Sequence, residues 1–201
     1  IMENQTVDIV IELGGGTGHN LIRLGSKFRE LDYKIPQLLN AEQSKWGLGL
    51  FERIASDFNF QDFIAIPFDY NDEESFLPLF EPYIIDKNVE IFTLASIEQL
   101  TYIPKKFLKN LEKLSFLASS LRVSFVEPIN WQLKGLIKTK SHQRNKQISI
   151  DRRHNQDLLR SIAVIAQDNN SRMEISKINP SVARQASGLE LTGIQLLFVN
   201  P

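Results

Sequence analysis

Apolar positions along the chain form short runs that alternate with stretches at helical spacing. Residues 7–13 (Val-Asp-Ile-Val-Ile-Glu-Leu) are β-branched and aliphatic enough to predict a parallel strand covered on both faces. Leu21, Ile22, Leu24 and Phe28 then recur at helical spacing. A second strand is predicted over residues 35–41, closing on Glu42. Ser44 opens a helix that carries Trp46, Leu50, Phe51 and Ile54, with Gly47 and Gly49 weakening its first turn. Residues 63–68 predict a third strand whose end is marked by Pro67, and residues 89–94 a fourth. Residues 105–121 read as an amphipathic helix burying Phe107, Leu108, Leu111, Leu114 and Leu117. Residues 122–127 predict a fifth strand, stopped by Pro128. A helix follows over 155–167, then strands over 173–178 and 189–199 joined by a 180–188 connection. Five alternating β/α units and a closing strand pair make this a doubly wound α/β chain.

Residues 131–154 break the pattern, being too polar for core and too long for an ordinary connection. Lys134, Lys138, Lys140, Arg144, Lys146, Arg152 and Arg153 are opposed there only by Asp151, with His142 and His154 among them. The segment is expected to be either a solvated basic loop or a lid recognising negative charge, with Arg144 as its anion-binding residue. Across the 201 residues, 42% are hydrophobic, which suits one globular domain with a full core. Lys+Arg 23 against Asp+Glu 24 leaves a formal charge of -1, so no global field for nucleic acid is implied. Single-stranded nucleic acid is disfavoured further because only Trp131 interleaves the basic run. The absence of cysteine excludes disulfides and thiolate chemistry. No apolar run approaches the ~20 residues of a membrane span. A cytoplasmic protein is the expectation, with a homo-oligomer left open. The first strand begins almost at once, so the expectation is also of a domain without preceding helices.

Candidate chemistry concentrates at Glu12-Leu13-Gly14-Gly15-Gly16-Thr17-Gly18-His19-Asn20, where the first strand turns into the first helix. Consecutive glycines permit positive φ and let a ligand approach without a Cβ in the way, and the helix start offers free N–H groups. A dinucleotide fingerprint needs glycines at n, n+2 and n+5, but counting from Gly14 the last falls on His19. The Gly-Lys-Ser/Thr ending of a phosphate loop is missing. What stands instead is an acid followed by alternating glycines. Glu12, Gly14, Gly16 and Gly18 resemble motif I of the class I S-adenosylmethionine-dependent methyltransferases. A carboxylate at a strand end suits that donor, which carries an ammonium and a sulfonium rather than phosphates.

The resemblance covers nearly the whole chain and implies a Rossmann-like, mostly parallel seven-stranded sheet whose terminal strand pair is antiparallel. It implies S-adenosylmethionine as cofactor, held by Glu12, Gly14, Gly15, Gly16, Thr17 and Gly18. Glu42 would take the ribose, Asp69 and Tyr70 the adenine, and Thr93 would lie at the donor end of the fourth strand. The alternative for Asp69 is an Asx turn with Asn71. Polar residues after the fourth strand are candidates for the acceptor side: Ser96, Gln99 and, from the fifth strand, Glu127. Glu98 or His19 is the expected general base, since a hydroxyl acceptor must lose a proton. No cluster of metal ligands emerges, although Glu98 and Glu127 could jointly hold a divalent cation. The Asn/Asp-Pro-Pro-Tyr signature of nitrogen methylation is missing, which favours an oxygen acceptor. The turn and the Thr-x-x-Ser-x-Glu-Gln-Leu segment are similar to sugar O-methyltransferases of bacterial surface-polysaccharide pathways. The expected acceptor is accordingly a small molecule or glycan with anionic character. A non-catalytic scaffold or activator of the same fold is the second expectation, and an NAD enzyme is disfavoured by the glycine spacing.

Overall fold

The computed structural model describes residues 6–104, 106–133, 140–184 and 189–198. Lys134 and Lys138 of the basic segment lie outside these residues, as do Lys105 and Val199 at the ends of two predicted elements.

Seven strands form one sheet: β1 (Ile9–Leu13), β2 (Gln37–Glu42), β3 (Phe63–Pro67), β4 (Asn88–Leu94), β5 (Ser120–Glu127), β6 (Met173–Arg184) and β7 (Glu190–Phe198). Their order is β3-β2-β1-β4-β5-β7-β6. Strand β1 pairs in parallel with β2 and β4, and β2 in parallel with β3, while β7 is antiparallel to both β5 and β6. Among the described residues six α-helices accompany them: α1 (His19–Glu30), α2 (Lys45–Asp57), α3 (Phe76–Ile84), α4 (Phe107–Leu114), α5 (Lys140–Asp151) and α6 (Leu158–Ala166). This is the doubly wound, mostly parallel layout that the sequence pattern and the resemblance imply. No described helix is long and apolar enough to cross a membrane.

The chain divides into two compact units, the first made of Ile1–Phe92 with Lys113–Leu121, the second of Thr93–Glu112 with Arg122–Pro201. In the first unit every residue of β1 is buried, as a central parallel strand requires. Val10, Leu21, Ile22, Leu38, Phe51, Ala55 and Phe60 form its core beneath α1 and α2. Ser44 caps α2 by accepting from the Gly47 N–H at 3.2 Å. Gly47 is there for space: a Cβ would lie 2.8 Å from the Gly16 carbonyl oxygen. A second aromatic cluster joins Phe68, Tyr70, Phe76 and Phe80, and it includes two residues of α3, a helix that Pro78 and Pro82 conceal in the sequence.

The second unit alternates buried and half-buried positions along β5, the pattern of a strand with one face inward. Three elements depart most from the sequence pattern. Helix α4 is shorter than the predicted 105–121. Helix α6 starts at Leu158 because Asn155 and Asp157 form an Asx turn, the Asp157 N–H donating to Asn155 Oδ1 at 3.0 Å. Strand β6 continues through Pro180 to Arg184, where the sequence suggested a connection. Its register breaks between Asn179 and Ala183, so the proline falls in the irregular stretch of an edge strand, where a missing N–H is tolerated. Part of the polar 131–154 segment is also regular: α5 buries Asn145 and Ser149 and exposes Arg144.

Candidate functional site

In the first unit, the Gly14 N–H donates to the Ala41 carbonyl at 2.7 Å as β1 ends, and Gly18 N–H returns to the Gly15 carbonyl at 2.9 Å. Between them Gly16 has φ 57° and nothing within 4 Å of a Cβ placed on it. Gly18, with φ 66°, is the N-cap of α1. At Gly15 a Cβ would meet Asn40 Oδ1 at 2.2 Å, so one side of the turn is packed and the other is open.

Glu12 lies under this turn, 1% exposed. Its Oε1 accepts from Asn20 Nδ2 at 2.6 Å, while Oε2 is buried without a hydrogen-bond partner among the described residues. Burial pushes the Glu12 carboxyl up to about 7, against the pull of the Asn20 hydrogen bond, and the Glu42 charge adds to the rise. Asn40, opposite Glu12 in the β1–β2 register, donates to the Gly16 carbonyl at 3.1 Å, and its own Oδ1 has no partner among the described residues. Buried polar atoms left over in this way are costly unless something else satisfies them. Asn20 and Asn40 were missed in the sequence; the signal for Asn40 is a polar residue inside the apolar run Leu38-Leu39-Asn40-Ala41.

Glu42 is part-buried and bonds backbone: Oε2 accepts from the Gly16 N–H at 2.9 Å and Oε1 from the Ser44 N–H at 2.8 Å. Asp69 makes the Asx turn, Oδ1 accepting from the Asn71 N–H at 2.8 Å, and its Oδ2 accepts from Gln43 at 3.0 Å. Tyr70 is turned inward: its hydroxyl donates to the Leu13 carbonyl at 2.9 Å and its ring stands edge-on to Phe68. Thr17 is half-buried beside the turn and His19 is exposed at the start of α1. A cleft of about 730 Å³ runs from Gly16 and Thr17 along Ser44, Trp46 and Arg53; Glu12, Glu42 and Asp69 do not line it.

In the second unit, Glu127 organises the residues after β4. It is 0% exposed. The Thr93 hydroxyl donates to its Oε1 at 2.5 Å, and the Ser96 and Glu98 N–H groups reach its two oxygens at 3.4 Å. Thr93, assigned to the cofactor on sequence, is thus wholly buried and engaged with Glu127. Glu127, assigned to the acceptor, faces the protein interior for the same reason. Ser96 is half-buried, and Gln99 is exposed with its Nε2 donating to the Ala95 carbonyl at 2.6 Å. Glu98 is buried, and its Oε2 lies 2.5 Å from His154 Nδ1. Burial raises the Glu98 carboxyl to about 7 although Arg152 opposes the rise, and burial with Arg152 lowers the His154 imidazole. No spacing signals this pairing, because His154 stands among basic residues far along the chain.

Desolvation raises the Glu127 carboxyl to about 8, with the Thr93 hydrogen bond opposing and the Glu98 charge adding. A carboxyl raised in the fold favours the protonated native state, so its stabilising contribution is complete below the ordinary carboxylate range. It is lost as pH rises through about 8. Glu127→Gln should remove that dependence. Thermal unfolding from pH 5 to 9 should fall more steeply in the native sequence than in the variant, by on the order of a few kcal/mol over the window. Parallel curves would show that Glu127 is ionised throughout.

No protein-family model matches the chain, and no curated protein matches it in sequence. Solved structures do resemble it. The S-adenosylhomocysteine-bound methyltransferase of Podospora anserina aligns with TM-score 0.60 and 10% identity over 96% of this chain and 72% of that one. The magnesium protoporphyrin IX methyltransferase of Synechocystis PCC 6803, with S-adenosylhomocysteine bound, gives 0.58 and 14% over 96% and 75%. The geranyl diphosphate C-methyltransferase of Streptomyces coelicolor A3(2) gives 0.58 and 14% over 96% and 73%. At such identities the likeness is one of architecture, and the chain has the Rossmann-like fold of S-adenosylmethionine-dependent methyltransferases.

Proposed function

We propose that the chain transfers a methyl group from S-adenosylmethionine to a hydroxyl oxygen of a small polar or anionic molecule, a sugar among the candidates. The observation that carries the first half is the buried Glu12 Oε2, unpartnered among the described residues, under a turn whose open side is Gly16. A cationic ligand group supplies what that oxygen lacks. The residues fit the donor in type, although Glu12, Glu42 and Asp69 do not line the cleft at Gly16: Glu12 would receive its ammonium, the Gly14–Gly18 turn would pass close along it, and Glu42 and Asp69 would exchange present backbone and side-chain bonds for ribose and adenine. When bound, the donor supplies a methyl activated by positive sulfur, so the protein's task is to position the acceptor, exclude water and accept a proton. The absence of a nitrogen-methylation signature supports oxygen as the acceptor atom.

Calorimetry with S-adenosylmethionine tests the reading. A cation binds best when Glu12 is ionised, so affinity should weaken about fivefold between pH 7 and pH 6, as the ionised fraction of a carboxyl with its transition near 7 falls from about a half to about a tenth. This window lies below that in which the donor's own amine loses its proton, ordinarily ~8. Glu12→Gln should bind weakly and with no such slope. A folded protein that shows no binding at any pH would return the chain to the scaffold class.

A further inference from the structure

A cavity of about 170 Å³ in the second unit has among its walls Glu98, Ile129, Ile148, Arg152, His154 and Leu189. It is smaller than the ~300–1,000 Å³ that drug-sized ligands occupy, so it admits one small ring or side group. The Glu98 and His154 side chains are 10% and 14% exposed and meet at 2.5 Å. Both are held from behind by backbone. The Glu98 carbonyl accepts from the Asn155 N–H at 2.8 Å, its N–H reaches Glu127 Oε2 at 3.4 Å, and the His154 N–H donates to the Ser149 carbonyl at 2.8 Å. With Nδ1 committed to Glu98, Nε2 is the ring nitrogen left to exchange a proton with a ligand. A carboxylate that orients an imidazole and balances its charge is the logic by which a histidine becomes an effective base.

We propose that Glu98 and His154 act as a base dyad, and that their cavity takes a small hydroxyl compound bearing an anionic group, which Arg152 holds. The proposal rests on the methyl-transfer reading, and it moves the general base from Glu98 or His19 alone to His154 Nε2 oriented by Glu98. Ile129, Ile148 and Leu189 give a ring an apolar side, Gln99, Ser149 and Asn155 add polar wall, and a planar guanidinium is matched to a carboxylate or phosphate. The balance is simple. The acceptor hydroxyl gives its proton to Nε2 and keeps the O–H electron pair on the oxygen, which a bound donor would methylate. The resulting imidazolium is neutralised by Glu98 and later releases its proton to water. Arg152 bears on both members of the pair, and Glu98 in turn bears on Glu127.

The test is nitrogen NMR of the full chain with labelled imidazoles. There are three histidines, and the His154 signals are those lost in His154→Gln. At pH 8 His154 should be the Nδ1–H tautomer in the native sequence, and Glu98→Gln should change the tautomer balance. Addition of 2-, 3- or 4-hydroxybenzoate should move the His154 Nε2 signal for at least one isomer. Phenol and benzoate should need at least tenfold higher concentration. Arg152→Gln, at an exposed position, should abolish the preference for the hydroxybenzoate over phenol. A His154 ring in the Nε2–H form at pH 8, or equal responses to hydroxybenzoates, phenol and benzoate, overturns the proposal. Because the donor titration reads the first unit and these signals the second, failure of the dyad and failure of the methyl-transfer reading are told apart.

Discussion

Gly16→Asp should weaken S-adenosylmethionine binding at least about 100-fold, a loss of ~2.7 kcal/mol, while the protein stays folded. The separation of the two effects follows from the two sides of the turn. The Gly16 Cβ direction meets nothing within 4 Å, so the new side chain causes no clash in the protein. Its φ of 57° is left-handed, which aspartate tolerates at a cost of ~1–2 kcal/mol. The carboxylate would stand on the open side, where the proposed reading puts the ligand, and beside an N–H already bonded to Glu42. Calorimetry for binding and thermal unfolding for stability separate the outcomes. Unchanged affinity would show that the open side faces no donor.

Gly18→Ala should do the reverse and damage the fold first. A Cβ there would lie 2.1 Å from the Phe51 ring, and Phe51 is 1% exposed in the core of the first unit. Its φ of 66° adds the left-handed cost that alanine bears more heavily than aspartate. Overpacking of ~1–3 kcal/mol and a backbone cost of ~1–2 kcal/mol together predict a loss of about 2–5 kcal/mol. For a chain of this size that is a fall in melting temperature on the order of 10 °C. A melting temperature within about 2 °C of the native value would mean that Phe51 swings aside at little cost.

These two glycines also show what the sequence made legible. The acid–glycine alternation marks the turn, and the largely aliphatic run before it marks a strand covered on both faces. Both cues are local. Helix α3 was not legible because Pro78 and Pro82 announce a break, while its support is the ring cluster of Phe68, Tyr70, Phe76 and Phe80, drawn from two stretches of chain. Tyr70 was readable as polar and near Asp69, but its direction depends on the Leu13 carbonyl in another strand. Likewise the His154–Glu98 contact is set by the Asn155–Glu98 backbone bond, which no spacing rule encodes. Residue type carried the candidate chemistry; long-range contacts decided which candidate faces which partner.

Strand β6 has one further consequence. It ends the sheet, so its outer row of backbone donors and acceptors is available to any passing extended chain. The irregularity between Asn179 and Ala183, where Pro180 falls, offsets those groups from a regular ladder. With Lys177 exposed just before it, the rim is a poor template for a foreign strand and is guarded against growth into fibres.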